Sequence, residues 1–170
     1  DIQVQTFLKI IFISIIILSI YLILNSSTQL NLRAIFFNTI SILTGTGYVN
    51  AQFDSWGGFP SVLFLGLMFI GGCAGSTTCG IKIFRIQILY SFISNQLKKI
   101  IYPKGIFVLK YNQNAVDNKF VASIISFIYM YLVIFFIISA LLSLTGLDFI
   151  TSISGAATSI SNVGPGLGSI

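Results

Sequence analysis

Two short stretches decide how this chain folds: Thr44-Gly45-Thr46-Gly47-Tyr48 and Ser161-Asn162-Val163-Gly164-Pro165. Each closes an apolar segment too short to cross a membrane, Leu32 to Leu43 in the first case and Asp148 to Ile160 in the second. Apolar runs of about 10–14 residues are typical of re-entrant or interfacial helices. A full-length apolar run precedes each one, Phe7 to Leu24 and Phe120 to Leu147. At about 1.5 Å per residue the first is roughly 27 Å long as a helix, close to the hydrocarbon thickness of a bilayer. The order is therefore the same twice: full span, polar break, short helix, glycine turn. Setting Gly47 against Gly164 places Asn31 on Asp148, Phe36 on Ile153, Ser41 on Thr158 and Thr44 on Ser161. Asn31 and Asp148 are both good helix N-caps. The agreement in register is stronger evidence of a repeat than any single match.

The repeated unit has a physical reading. A short helix entering from outside ends near the membrane centre, where its dipole leaves partial negative charge. A glycine turn at that point exposes backbone carbonyls, and rings of carbonyls replace the hydration shell of a dehydrating cation. Glycine suits such a turn because it accepts backbone angles that other residues resist. The competing reading makes Gly45, Gly47, Gly164 and Gly166 packing contacts between helices, a frequent use of small residues in membranes. The short helix before each turn, present twice, favours the pore loop.

Composition names the solvent. Of 170 residues, 55% are hydrophobic and 8% charged, against about 25% charged in a soluble domain. Nine Lys and Arg, four Asp, no Glu and no His cannot cover a soluble surface of this size, so the chain is expected to be an all-α membrane protein. The same absences remove Ser-His nucleophiles, His-rich metal sites and Glu bases. No enzymatic activity and no bound cofactor are expected. Cys73 and Cys79 lie in an apolar stretch and read as small packing residues. Residue 1 is Asp and the only methionines are Met68 and Met130, so the chain reads as an internal piece of a longer protein. The first span is not read as a signal peptide, because no small-residue cleavage site follows it.

From Ser55 to Ile81 there is again no charge, enough for another crossing, with Trp56 suited to the headgroup level. This stretch is interrupted by Gly71-Gly72-Cys73-Ala74-Gly75-Ser76-Thr77-Thr78-Cys79-Gly80, a poor helix former. Irregular backbone at membrane depth persists only inside protein or beside a water-filled cavity. Lys82, Arg85, Lys98, Lys99, Lys104, Lys110 and Lys119 then gather between two spans, and the positive-inside rule assigns that side to the cytoplasm. The expected organisation is a first unit at 1–97, a basic cytoplasmic loop at 98–118 and a partial second unit at 119–170. The first holds a span at 7–24, a pore helix at 31–43, a filter at 44–48 and a broken inner helix at 58–97. The second holds a span at 119–146, a pore helix at 148–160 and a filter at 161–165, without an inner helix.

Three of these motifs resemble, in order, those of the Trk/Ktr/HKT superfamily of potassium transporters. Thr44-Gly45-Thr46-Gly47-Tyr48 resembles its third filter loop. Gly71 to Lys82 resembles its broken inner helix, read as G-G-x-x-G-S-T-x-G-G-I-K. Asn162-Val163-Gly164-Pro165-Gly166-Leu167-Gly168 resembles its fourth filter loop, with Thr145-Gly146-Leu147-Asp148-Phe149 also fitting before it. Within the superfamily the chain is most similar to the bacterial TrkH potassium-uptake subunits. The resemblance implies repeated membrane-pore-membrane units with re-entrant half-helices, of which this chain supplies the third and part of the fourth, a C-terminal-half piece. It implies a potassium ion held by the carbonyls of Thr44, Gly45, Thr46, Gly47, Ser161, Asn162, Val163 and Gly164, and by nothing else. It implies an intramembrane gating loop built from Gly71, Gly72, Gly75, Ser76, Thr77, Gly80 and Lys82. It implies a multi-pass protein of the bacterial inner membrane, a homodimer, and a cytoplasmic ring of nucleotide-binding regulatory subunits. Two departures stand out: Gly45 and Tyr48 replace a frequent Thr and Phe, and Thr78 and Cys79 occupy places where glycine is common.

Other features weigh less. Gly75 to Lys82 is not a phosphate loop, because Ile81 separates the second glycine from the lysine. Lys82 and Arg85 are open to two readings, as residues near the pore axis or as positive-inside anchors. Asp54 and Asp148 can raise local cation concentration, but Asp148 also fits a helix cap. The basic loop suits anionic lipid or a partner and lacks the aromatic interleaving of a nucleic-acid site. The sequence thus predicts potassium uptake by a passive or ion-coupled (symport) route. The alternatives are a pore-loop potassium channel subunit or a non-conducting assembly subunit.

Overall fold

The computed structural model describes residues 2–25, 31–105, 107–112 and 114–168. Beyond Asn25, the polar break expected at Asn25–Gln29 lies outside the described residues. Helix α1 runs Ile2–Leu24 and, past Lys9, is apolar nearly all round, as a helix surrounded by lipid and protein must be. Helix α2, Leu32–Thr44, starts where the Asn31 side chain accepts the Ala34 N–H at 3.2 Å. A single 3₁₀ turn, Phe53–Trp56, leads into α3, Gly58–Met68, whose Pro60 sits in the first turn, where a missing N–H costs nothing. Helix α4 covers Ile83–Ile101, α5 Asn118–Leu144 and α6 Phe149–Ser161.

Helix length sorts these elements. α1 and α5, with 23 and 27 residues, are long and apolar enough to cross a membrane. α2 and α6 have 13 residues each, about 20 Å of helix, and stop partway through a layer about 30 Å thick. α3 and α4 follow one another across the irregular stretch at residues 69–82.

The basic segment differs from the expected loop at 98–118 in two ways. α4 continues through Ile101, so Lys98 and Lys99 lie in its last turn, where cations interact favourably with the helix dipole. Beyond it, strands β1, Lys110–Tyr111, and β2, Asn114–Ala115, form a two-residue antiparallel hairpin pairing Lys110 with Ala115 and Tyr111 with Asn114. Asn112 turns it with φ 49°, a conformation Asn tolerates.

Each span carries its short helix, α1 against α2 and α5 against α6, and α3 wedges between the two pairs. Phe64 and Met68 of α3 are fully buried among Leu18, Ile35, Ile42 and Leu43 of the first pair and Ala156 and Ala157 of the second. Lipid tails are as apolar as leucine, so van der Waals contact rather than water exclusion drives such packing. The buried Gly155-Ala156-Ala157 run of α6 allows close approach. Outward-facing Ile13, Ile16, Ile20 and Ile23 of α1, with Phe136, Leu141 and Leu144 of α5, are exposed and present an apolar surface to the bilayer.

Phe64 lies 4.6 Å from Phe53, ring to ring, and 6.0 Å from Trp56. Replacing it with Ala is expected to cost about 3–5 kcal/mol. The check is the unfolding midpoint of the detergent-solubilised full-length protein.

Candidate ion site

The two glycine turns are built by one device. α2 ends at Gly45, which adopts φ 66° and ψ 23°, and α6 ends at Asn162, with φ 50° and ψ 45°. These residues match in the repeat, and both are left-handed caps of the kind Gly or Asn supplies. Two residues on, Gly47 has φ 80° and Gly164 φ 109°. The Thr46 N–H bonds the Ser41 carbonyl at 3.0 Å, and at the matching place the Val163 N–H bonds the Thr158 carbonyl at 3.1 Å.

The turns meet backbone to backbone. A Cβ built on Gly47 would collide with the Val163 carbonyl oxygen, and one on Gly164 would stand 3.3 Å from the Gly47 Cα. One on Gly45 would lie 3.9 Å from the Asn162 carbonyl oxygen. No side chain fits between these segments. The C-terminal ends of two helices and several carbonyl oxygens therefore converge in one place, where the helix dipoles are negative. Of the sequence-derived residues, Gly45 and Gly47 are thus brought against Asn162, Val163 and Gly164; Thr44 and Thr46 flank them in the chain, and Ser161 is buried.

Buried polar side chains hold the turns from behind, and sequence reasoning missed them. Asn38 of α2 is fully buried; its amide donates to the Ala51 carbonyl at 3.1 Å and accepts the Asn50 N–H at 3.2 Å. Ser154 of α6 accepts the Leu167 N–H and donates to the Leu167 carbonyl, both at 2.9 Å. Asn50 and Leu167 match in the repeat, so both turns are fastened at the same point. Tyr131 of α5 meets the Ser161 hydroxyl at 2.5 Å. The available signal was the lone amide of α2, Asn38; Ser154 is one of six hydroxyl residues in α6 and does not stand out.

The break between α3 and α4 is a closed loop. Its ends are pinned by Gly71 N–H to the Ile81 carbonyl and Ile81 N–H to the Phe69 carbonyl, both 2.9 Å. Gly71 is required here, since a Cβ would strike the Cys79 carbonyl oxygen. Gly75, Ser76 and Thr77 form an exposed tip, and Gly80 turns the chain back with φ 81°. The Thr78 hydroxyl donates to the Thr44 carbonyl at 3.3 Å, so this loop touches the first turn.

Lys82 lies with the loop residues that the sequence groups it with, and the contacts of Lys82 and Arg85 are specific. The Lys82 ammonium folds back onto its own loop, bonding the Ser76 carbonyl, the Ser76 hydroxyl at 3.3 Å and the Cys73 carbonyl at 3.5 Å. The Arg85 guanidinium stacks 3.8 Å from the Phe127 ring centre, clamping α4 to α5 by a contact worth about 0.5–2 kcal/mol.

The caps also differ chemically. Asn31 binds a backbone N–H, whereas Asp148 takes the Thr151 hydroxyl. That hydroxyl first, and then the backbone N–H groups at the start of α6, hold the Asp148 carboxyl below its ordinary pKa.

A sequence model of the TrkH family, described as cation transport protein, matches residues 2–170. The Trk system potassium uptake protein TrkI of Halomonas elongata is 37% identical over 99% of this chain and 34% of its own length. The Trk system potassium uptake protein TrkH of Escherichia coli K12 is 30% identical over 84% of this chain and 30% of its own. The crystal structure of the potassium transporter TrkH from Vibrio parahaemolyticus superposes with TM-score 0.90 at 30% identity, over 99% of this chain and 37% of that one. The chain spans about a third of the length of these relatives.

The depressed carboxyl gives a pH prediction. The folded pKa of Asp148 lies below the unfolded one, so its stabilisation is full above the unfolded value and disappears as pH falls through the folded value. Thermal unfolding of the full-length protein below about pH 4, the ordinary carboxylate range, should show this loss. Asp148→Asn, which keeps a capping residue but does not titrate, should lack that component.

Proposed function

We propose, from the premise that this chain belongs to the TrkH family of cation transport proteins, that it supplies half of a potassium pathway. The observation that carries this reading is the apposition of Gly47 with Val163 and Gly164 at the ends of two half-length helices. Carbonyls of Thr44 to Gly47 and of Ser161 to Gly164 form part of the ion's coordination shell. Their charge is neutral and partial, which suits a weakly hydrated monovalent ion that must also leave. Packing glycines alone do not account for paired positive-φ turns placed two residues beyond each helix end.

The mechanism follows. A hydrated ion arrives from the side opposite the basic segment and exchanges water for carbonyl oxygens. The α2 and α6 dipoles stabilise it. The loop at 71–80 stands against the Thr44 end of the turn and acts as the gate, moving aside to release the ion. The membrane potential supplies about 2.3 kcal/mol per charge per 100 mV, enough to drive accumulation without a proton relay in this segment.

The whole assembly contains four such units, and this chain contributes the third and part of the fourth. It is a multi-pass protein of a bacterial inner membrane, bathed in lipid, dimeric, and controlled by a nucleotide-binding ring on the cytoplasmic side. Support for the ring comes from the name "Trk system" carried by the relatives and from the basic face that the positive-inside rule assigns to the cytoplasm.

The test is rubidium uptake by cells lacking their own potassium uptake and expressing the full-length protein. Gly47→Ala combines a left-handed backbone, worth about 1–2 kcal/mol of strain, with a collision against Val163. It is expected to cut uptake at least roughly tenfold, the equivalent of about 1.4 kcal/mol. Gly66→Ala, where nothing lies within 4 Å of the added carbon, should leave uptake unchanged. Normal uptake by Gly47→Ala would overturn the proposal.

A further inference from the structure

The Ser41 carbonyl has more donors than it can hold well. It accepts the Thr46 N–H at 3.0 Å, the Thr44 hydroxyl at 3.3 Å and the Gly47 N–H at 3.4 Å, and shares the Gly45 N–H with Ile42. A carbonyl oxygen has two lone pairs, so the longest of these contacts, from Gly47, is poorly served. On the same residue an acceptor stands unused. Ser41 is only 5% exposed, and its hydroxyl has no partner among the described residues.

The second turn shows the same parts joined. Thr158 matches Ser41 in the repeat, and Gly164 matches Gly47. The Thr158 carbonyl takes the Val163 N–H at 3.1 Å, as Ser41 takes Thr46, and the Thr158 hydroxyl accepts the Gly164 N–H at 2.9 Å. A hydroxyl at this place in the helix therefore reaches the N–H six residues on. The two side chains differ by one methyl group. The β-branch of threonine restricts its χ1, whereas the serine hydroxyl moves among staggered wells.

We infer that Ser41 is the specificity-determining positioning residue of the first turn: with an ion in the site, its hydroxyl accepts the Gly47 N–H and thereby aims the Thr46 carbonyl. The inference rests on reading the two turns as a potassium filter. The Gly47 N–H and the Thr46 carbonyl belong to one peptide, which is planar and trans. They point in opposite directions, so a tie on the N–H from behind directs the carbonyl forward. Pairing also removes the cost of a buried hydroxyl without a partner. Carbonyl sites distinguish ions by the spacing and field of their oxygens. A carbonyl tethered through its own peptide does not follow a smaller ion inward, and an untethered one does. Ser41 thus acts through the Gly47 peptide and does not itself touch the ion.

The experiment uses the full-length protein in liposomes and reads the ratio of the sodium inhibition constant to the rubidium KM, which a loss of folded protein does not move. Ser41→Ala removes the hydroxyl and is expected to lower this ratio about fivefold, the worth of one hydrogen bond. Ser41→Thr installs the side chain of the firm turn and should keep the ratio or raise it. Thr158→Ala breaks the bond already made and should lower it at least as far. An unchanged ratio in Ser41→Ala beside a fall in Thr158→Ala overturns the inference and leaves the filter standing. A Ser41→Ala variant that loses only maximal flux, or a Ser41→Thr ratio as low as that of Ser41→Ala, overturns it as well. An unchanged ratio in both alanine variants overturns the filter reading itself, and the inference with it.

Discussion

A helix that stops in the middle of a membrane leaves its last carbonyls without intrahelical partners, and hydrocarbon offers none. That single constraint organises this molecule. α2 and α6 are both too short to cross, and the chain beyond each must satisfy the open carbonyls or, on the function proposed above, turn them toward an ion. Left-handed caps at Gly45 and Asn162 do part of this by bending the following N–H groups back onto Ser41 and Thr158. The carbonyls that remain belong to the two turns, and the turns face each other. A site made this way contains no formal charge. Its electrostatics come from helix ends and peptide dipoles, which favour a cation without binding it too tightly to leave.

The rest of the packing serves that meeting. The turns approach backbone to backbone, so errors of a fraction of an ångström at Gly47 would separate them or make them collide. Asn38 and Ser154 fix the chain just after each turn, Tyr131 fixes Ser161, and α3 with Phe64 and Met68 sets the distance between the helix pairs. These are buried polar groups with complete or nearly complete hydrogen bonding, the condition under which such groups specify one arrangement rather than destabilise the core. The small residues of α6 have the same purpose, since Ala156 and Ala157 admit the wedge that a larger pair would exclude.

What was legible in the sequence was what local physics decides. Span lengths, the too-short helices, the Asn31 cap, the glycine turns and the break at Gly71–Gly80 each carry their signal within a few residues, and the repeat reinforces it. What was not legible depends on a distant partner. The hairpin at 110–115 has two residues per strand, too few for any alternation to be seen. Lys98 and Lys99 read as loop because charge marks a membrane face, not a helix end. Lys82 could be grouped with the loop and Arg85 left open between two readings, but their partners, the Cys73 and Ser76 carbonyls and the Phe127 ring, are fixed only by the folded chain. Asn38 was the one recoverable omission: as the single amide of a half-length helix it needs partners if buried, and the chain after the turn is within reach.

The two units are alike in plan and unequal in firmness, and the inequality bears on how the site works. In the second turn the Gly164 N–H is held at 2.9 Å by the Thr158 hydroxyl. In the first, Ser41 stands where Thr158 stands, yet its buried hydroxyl has no partner among the described residues. The Gly47 N–H reaches only the Ser41 carbonyl, at 3.4 Å. A buried hydroxyl left unpaired costs about 1–3 kcal/mol, so the first turn is the less firmly seated of the two. It is also the turn that receives a bond from the loop at 71–80, through Thr78 to Thr44. The less firmly seated turn is therefore the one that the loop at 71–80 touches. The Asn162–Gly164 turn, with its Gly164 N–H on the Thr158 hydroxyl, is the more completely hydrogen-bonded of the two.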